Sequence, residues 1–232
     1  RIGYSASISA DGNTALVGGN YDNSGIGAAW VFTRNNGVWT QQGKKLIGTG
    51  YVGLPEQGSS VSISADGNTA IIGGAKDNNE IGAAWIFSRD NGEWTQVGDK
   101  LIGSDFTGIP RQGISVAMSA DGKTAAIGGF TSDSGQGGVW IFVNNNGNWI
   151  QQGAKLLGSG YVTSAAQGYS IGLSADGNTL ISGGGSDNSS KGAAWIFRRN
   201  EGNWRQQGAK LVGTRNTDIL QQGRSVSISA DG

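Results

Sequence analysis

Four aspartates stand in one repeated setting: Asp11, Asp66, Asp121 and Asp176 each follow an alanine and precede a glycine. Carboxylates in an array are candidate metal ligands, and in pairs they hydrolyse glycosides. Here each stands alone in an Ala-Asp-Gly sequence, where Asp-Gly favours the positive φ of hairpin turns and the carboxylate accepts backbone N–H groups. They read as turn formers. Repeated lysines, Lys45, Lys100, Lys155 and Lys210, each precede a leucine. They read as side chains that snorkel or blunt a sheet edge. The eight tryptophans are flat faces on which a sugar stacks, but their even spacing reads as core packing. The chain has no His and no Cys. That excludes imidazole acid–base work, Ser-His-Asp triads, thiolate chemistry, disulfides and Cys/His zinc sites. Nothing pairs an acid with a base, so the chain reads as a non-enzyme with no cofactor and no metal.

Variable loops are better candidates, because function concentrates on loops held by a fixed frame. One set contains Tyr21, Asp22 and Asn23, then Asp77 and Asn78, then Asp133, then Asp187 and Asn188. A second set carries Tyr51, Phe106 and Tyr161 at equivalent places, with Asn216 in the fourth. An aromatic beside Asp and Asn side chains suits a sugar: a flat face for C–H groups, amides and carboxylates for hydroxyls. The competing reading is that these aromatics plug seams between structural units.

The frame behind these loops is an ungapped repeat of 55 residues. Gly3, Gly58, Gly113, Gly168 and Gly223 mark it, and Trp30, Trp85, Trp140 and Trp195 keep step with Trp39, Trp94, Trp149 and Trp204. Four units run 3–57, 58–112, 113–167 and 168–222, and a partial fifth, 223–232, copies 3–12. Each unit reads as four short strands. In the second, Ser60–Ser64 alternates small polar with β-branched residues, Asp66-Gly67 turns the chain, and Thr69–Ile72 returns, closed by Gly73-Gly74. After a polar loop, Gly82–Phe87 makes strand three, and strand four runs from Trp94 to about Leu101-Ile102. No stretch has the 3.6-residue period of an amphipathic helix.

A sheet apolar on both faces must lie between copies of itself. A Trp/Phe ridge is expected to settle on the small serine surface of strand one of a neighbour. Neither end looks like a polar cap, which favours a ring or a piece of a longer array over a capped linear stack. The expected fold is therefore all-β: a β-propeller of four four-stranded antiparallel repeats in one domain, plus one surplus strand. In propeller connectivity the 2–3 and 4–1 loops share a face.

The remaining composition agrees with a binding frame. Lys+Arg and Asp+Glu are 17 each, leaving no electrostatic footprint for nucleic acid. No apolar run approaches the roughly 20 residues of a membrane helix. The opening residues do not read as a signal peptide.

The unit from Gly58 to Gly103, with its Ser-Ala-Asp-Gly turn and Ala-Ala-Trp-Ile-Phe strand, resembles the bacterial FG-GAP repeat of integrin-α-type propellers. The resemblance spans nearly the whole chain, and it implies a propeller serving in adhesion or binding, outside the cell or at its surface. Two features depart from it. Phe-Gly is replaced by Gln57-Gly58, Gln112-Gly113 and Gln167-Gly168, and Gly-Ala-Pro by Gly-Gly. The acidic calcium loop is also missing, with one carboxylate where six to eight oxygens are needed.

The expected function is a non-catalytic extracellular binding, adhesion or assembly module that takes a protein or glycan on its loop face. One alternative is a multivalent lectin. Another is a filament or ring subunit joined through the surplus strand, 223–232, whose unpaired backbone is a template for self-association.

Overall fold

A computed structural model describes residues 2–214 and 219–232. The order of elements follows the repeat. Sheet one contains β1 (Ser5–Ile8), β2 (Thr14–Gly19), β3 (Ala28–Asn35) and β4 (Val38–Gln41). Sheet two contains β5 (Ser60–Ile63), β6 (Thr69–Gly74), β7 (Ala83–Asp90) and β8 (Glu93–Gln96). Sheet three contains β9 (Ser115–Met118), β10 (Thr124–Gly128), β11 (Val139–Asn145) and β12 (Asn148–Gln151). Sheet four contains β13 (Ser170–Leu173), β14 (Thr179–Gly184), β15 (Ala193–Asn200) and β16 (Asn203–Gln206). Every neighbouring pair is antiparallel, and equivalent residues pair in every sheet, as with Ile72↔Trp85 and Val17↔Trp30. The chain is all-β, with its sheets nested as propeller blades are and the first strands side by side.

Strand four is shorter than the sequence suggests. β8 ends at Gln96, whose side-chain amide donates to the Gly98 carbonyl at 2.8 Å while Gly98 takes a φ of 67°. That turn breaks the strand, and Leu101 rejoins strand three only through a bridge to Ala84. Strand two is longer than expected. It continues through Gly73-Gly74, which pair with Ala84 and Ala83.

Adjacent sheets meet along three equivalent seams. In the first, Leu16, Ala29, Val31 and Leu46 of sheet one pack on Val61, Ile63, Ala70, Ile72, Trp85 and Phe87 of sheet two. The Trp/Phe ridge therefore lies on the aliphatic face of strands two and three, not on the serines. The strand-one serines act as ties instead. Ser60 Oγ donates to the Gly113 carbonyl of the next unit at 2.8 Å, and Ser7 Oγ accepts the Ile63 N–H at 3.2 Å. A serine hydroxyl left under an indole would be an unsatisfied buried donor, so pairing it across the seam is the favourable use. Trp85 is fully buried, with its Nε1 donating to the Thr49 carbonyl at 2.8 Å. A Cβ on Gly48 would stand 2.0 Å from Trp85 Cδ1, so only glycine lets that loop close over the ring.

The second tryptophan series sits at the outer rim under arginines. Arg89 stacks on Trp94 at 5.4 Å and Arg199 on Trp204 at the same distance. Arg89 Nη1 and Trp94 Nε1 both donate to Gln42 Oε1 of the preceding unit, at 3.1 and 3.2 Å. Gln152 takes the same two bonds from Arg199 and Trp204. The seam between sheets two and three lacks this staple. Val97 replaces the glutamine and Asn144 the arginine, and the buried Trp149 Nε1 has no hydrogen-bond partner among the described residues.

The surplus segment 223–232 forms no strand. It lies where a next unit would begin: Ser170 Oγ donates to the Gly223 carbonyl at 2.8 Å and Ala175 N–H to the Ala230 carbonyl at 2.9 Å. It does not take the edge of β2, which pairs with β1. The sequence leaves open whether the ring closes at four blades; here the segment continues the row of first strands beyond sheet four. Ile8 is 56% exposed and Leu211 53%, where Ile63 and Leu101 are 7%.

Candidate binding face

The two loop sets do share a face, because the first three 4–1 loops are each clamped to the next unit's 2–3 loop. The 2–3 loops make single helical turns, Asp22–Gly25, Asp77–Glu80, Ser132–Gly135 and Asp187–Ser190. Each carries three successive residues of positive φ, such as Asn78 (φ 49°), Asn79 (φ 56°) and Glu80 (φ 66°). Asn tolerates that conformation better than most side chains, and the strain is held by surrounding bonds.

Those bonds come from the aspartates. Asp77 Oδ1 accepts the Val52 N–H at 2.7 Å, and the Asn78 N–H returns to the Val52 carbonyl at 2.9 Å. Lys100 Nζ meets the other oxygen of Asp77 at 2.5 Å. Asp187 repeats this with Val162 and Lys210. In the third unit the carboxylate has moved one residue along. Ser132 takes the aspartate position, and Asp133 accepts the Thr107 N–H at 2.8 Å while pairing with Lys155. Asp22, in the first unit, pairs with Lys45. The repeated lysines thus do not blunt an edge; they neutralise loop aspartates. Burial pushes the Lys155 ammonium below its ordinary range.

This changes the standing of several expected contacts. Asp77 and Asp187 are fully buried with their oxygens engaged, so they offer nothing to a sugar hydroxyl. Tyr51, Phe106 and Tyr161 are half-buried against the three seam cores, and Phe106 meets Trp140 edge-on at 6.4 Å. They plug the seams, because an aromatic at a loop–sheet junction buries more area there than in water. Tyr21, Asn23 and Asn188 remain exposed, and Asn78 half-exposed. Asn216 lies outside the described residues.

What the clamped loops do present is apolar. Tyr21, Val52, Leu54, Ile109 and Val162 are between 46% and 55% exposed. Nearby, Phe130 and Tyr169 stack edge-on at 5.2 Å with Arg111 and Arg224 against their outer faces. The cleft beside them holds about 130 Å³, below the roughly 300 Å³ at which ligand pockets begin.

The turn aspartates lie apart from the loop set and act as turn formers. Asp66 Oδ1 accepts from Ser64 Oγ at 2.5 Å and from the Asn68 N–H at 2.9 Å. The Ser9 hydroxyl, followed by the Asn13 N–H, holds the Asp11 carboxyl below its ordinary range.

Sequence reasoning missed the glutamines. Gln57, Gln112 and Gln167 are fully buried. Gln57 bonds both the N–H and the carbonyl of Gly48. The signal was the glutamine standing in every unit where the FG-GAP pattern has phenylalanine.

No family model matches the chain, and no curated protein is found to be similar to it. Among solved structures the chain is similar to TolB from Acinetobacter baumannii, at 14% identity and a TM-score of 0.49. The match covers 89% of this chain and 43% of that one, so the chain spans less than half the length of that protein.

Proposed function

We propose that the chain is a non-catalytic binding module that takes a protein partner on its loop face. The observation that carries this reading is the row of apolar tips, Tyr21, Val52, Leu54, Ile109 and Val162, held out on pinned loops. Exposed apolar side chains on a rigid support bind with little ordering cost. The same clamps commit the aspartates internally, which favours a protein over a glycan. An extracellular setting rests on the FG-GAP resemblance alone.

The test is a paired screen of the immobilised chain, against a displayed peptide library and against a glycan array. Peptide binding lost in Leu54→Asp and Ile109→Asp, with no sugar bound, supports the proposal. A sugar bound at the loop face would replace it with the lectin reading.

A further inference from the structure

On the loop face, two positions of the repeat meet at each seam: the residue before the seam glutamine, and the residue after the Gly-Gly that ends strand two of the next sheet. At the first seam these are Glu56 and Ala75, at the second Arg111 and Phe130, at the third Ala166 and Gly185. The first two seams are filled there. Glu56 reaches Lys76, the neighbour of Ala75, at 2.8 Å. The Arg111 guanidinium lies over the Phe130 ring at 5.8 Å. The third seam carries a small residue at both positions, and the space stays open as the cleft of about 130 Å³.

The lining of that cleft is of two kinds. Phe130, Tyr169 and Ala166 supply apolar surface, and Ser186, Gln221 and Arg224 supply polar groups. Arg224 stacks on Tyr169 at 5.9 Å and donates from Nη1 to Gln221 Oε1 at 2.7 Å. That bond occupies the acceptor of the Gln221 amide and leaves its Nε2, the Ser186 hydroxyl and the rest of the guanidinium as donors. Arg111 is held by Glu80 at 2.6 Å, whereas no carboxylate pairs with Arg224 among the described residues.

Size and charge together select an occupant. An apolar cavity of about 150 Å³ takes a benzene, so this cleft has room for one side chain. The donors beside it call for an acceptor, and a carboxylate matches a guanidinium best. Both groups must reach the same small cleft. In the last residue of a peptide, the side chain and the α-carboxylate share one Cα. An aspartate or glutamate inside a peptide brings no apolar group of its own, and its backbone must continue past the cleft in both directions.

Resting on the reading of the loop face as a protein-binding surface, we propose that this cleft anchors the C terminus of the partner. An aliphatic last side chain packs on Phe130, Tyr169 and Ala166, and its α-carboxylate meets Arg224. The residues before it run over the Arg111–Phe130 stack toward Ile109, where Ile109 and Arg111 border a hollow of about 480 Å³. The apolar tips then hold the body of the peptide while the cleft fixes its end.

The test is an array of short synthetic peptides ending in Val, Leu or Ile, each made with a free and with an amidated C terminus, probed with the whole chain. Free-acid peptides are expected to bind, and amidation to weaken them roughly tenfold or more. Arg224→Gln should weaken the acids by a similar factor and erase the difference between acid and amide. Gly185→Phe, which places there the side chain the repeat already carries at Phe130, should abolish binding by filling the cleft. Peptides that bind equally as acids and amides, and are lost in Leu54→Asp but not in Arg224→Gln, overturn this inference and leave the loop-face reading standing. Binding that requires an internal Asp or Glu instead of the free terminus does the same. No peptide bound in either form overturns both.

Discussion

The side-chain amide of Gln57 spans the peptide groups of Gly48, its Oε1 accepting the N–H at 2.6 Å and its Nε2 donating to the carbonyl at 2.9 Å. Both ends of the 4–1 loop are thereby tied together before the chain enters the next sheet. The Gly48 loop, in turn, closes over Trp85 of that sheet. One buried amide thus links loop closure to seam packing, and Gln112 and Gln167 repeat the arrangement at the later seams.

Gln112→Leu keeps the volume and removes both bonds to Gly103. Two buried backbone groups lose their partner, at about 1–3 kcal/mol each. Urea unfolding is expected to show a stability loss of about 3 kcal/mol. An unchanged midpoint would mean that water satisfies Gly103 as well as the glutamine does.

Asp77 is fully buried and Lys100 is the cation beside it. Lys100→Met leaves that carboxylate unpaired, which costs about 3–5 kcal/mol when the charge stays buried. Asp77→Asn with Lys100→Met should recover much of the loss, since no net charge then remains in the loop. Thermal melts of the two variants measure the difference. Equal losses would show that the ion pair contributes no more than its packing.

The Ser174 hydroxyl, followed by the Asn178 N–H, holds the Asp176 carboxyl below its ordinary value of 3.8, and Asp11 is lowered in the same way by Ser9. A depressed folded value means that the unfolded chain binds the proton first as pH falls. The turn's contribution is therefore complete above about 3.8 and is lost as pH falls through the lower folded value. Ser174→Ala is expected to move the Asp176 titration upward, read by carboxyl-carbon NMR. No movement would exclude the hydroxyl as the main cause.

Much of the frame was legible because a 55-residue period repeats each signal four times. The Asp-Gly turns, the alternating serines of strand one and the Trp-x-Phe ridge each correspond to one local physical requirement. The loop site was less legible. Asp77 and Lys100 are 23 residues apart, and only the fold shows that one neutralises the other. Tyr51 looks like a sugar platform until the seam beneath it is known. Strand four stops at Gln96 rather than reaching Leu101, because the Gln96 side-chain amide closes a turn on the Gly98 carbonyl, a contact that residue alternation does not mark.

The seam between sheets two and three offers a coupled test. Val97, Asn144 and the orphaned Trp149 Nε1 stand where the other seams have a glutamine, an arginine and a bonded indole. Val97→Gln alone places an amide against an apolar contact, because Val97 packs on the second seam core beside Trp149. Asn144→Arg alone adds a guanidinium that stacks on Trp149 and has Thr69, the counterpart of Thr14 and Thr124, in the preceding unit, but finds no glutamine there to accept from it and from the indole. Together they rebuild the staple of Gln42 with Arg89 and Trp94. The cycle of single and double variants is expected to give a coupling of about 1–2 kcal/mol in favour of the pair, as for residues sharing one hydrogen-bond network. Urea denaturation of all four proteins measures it. Simple additivity would show that the rim staples act independently of one another and that Trp149 draws nothing from a restored acceptor.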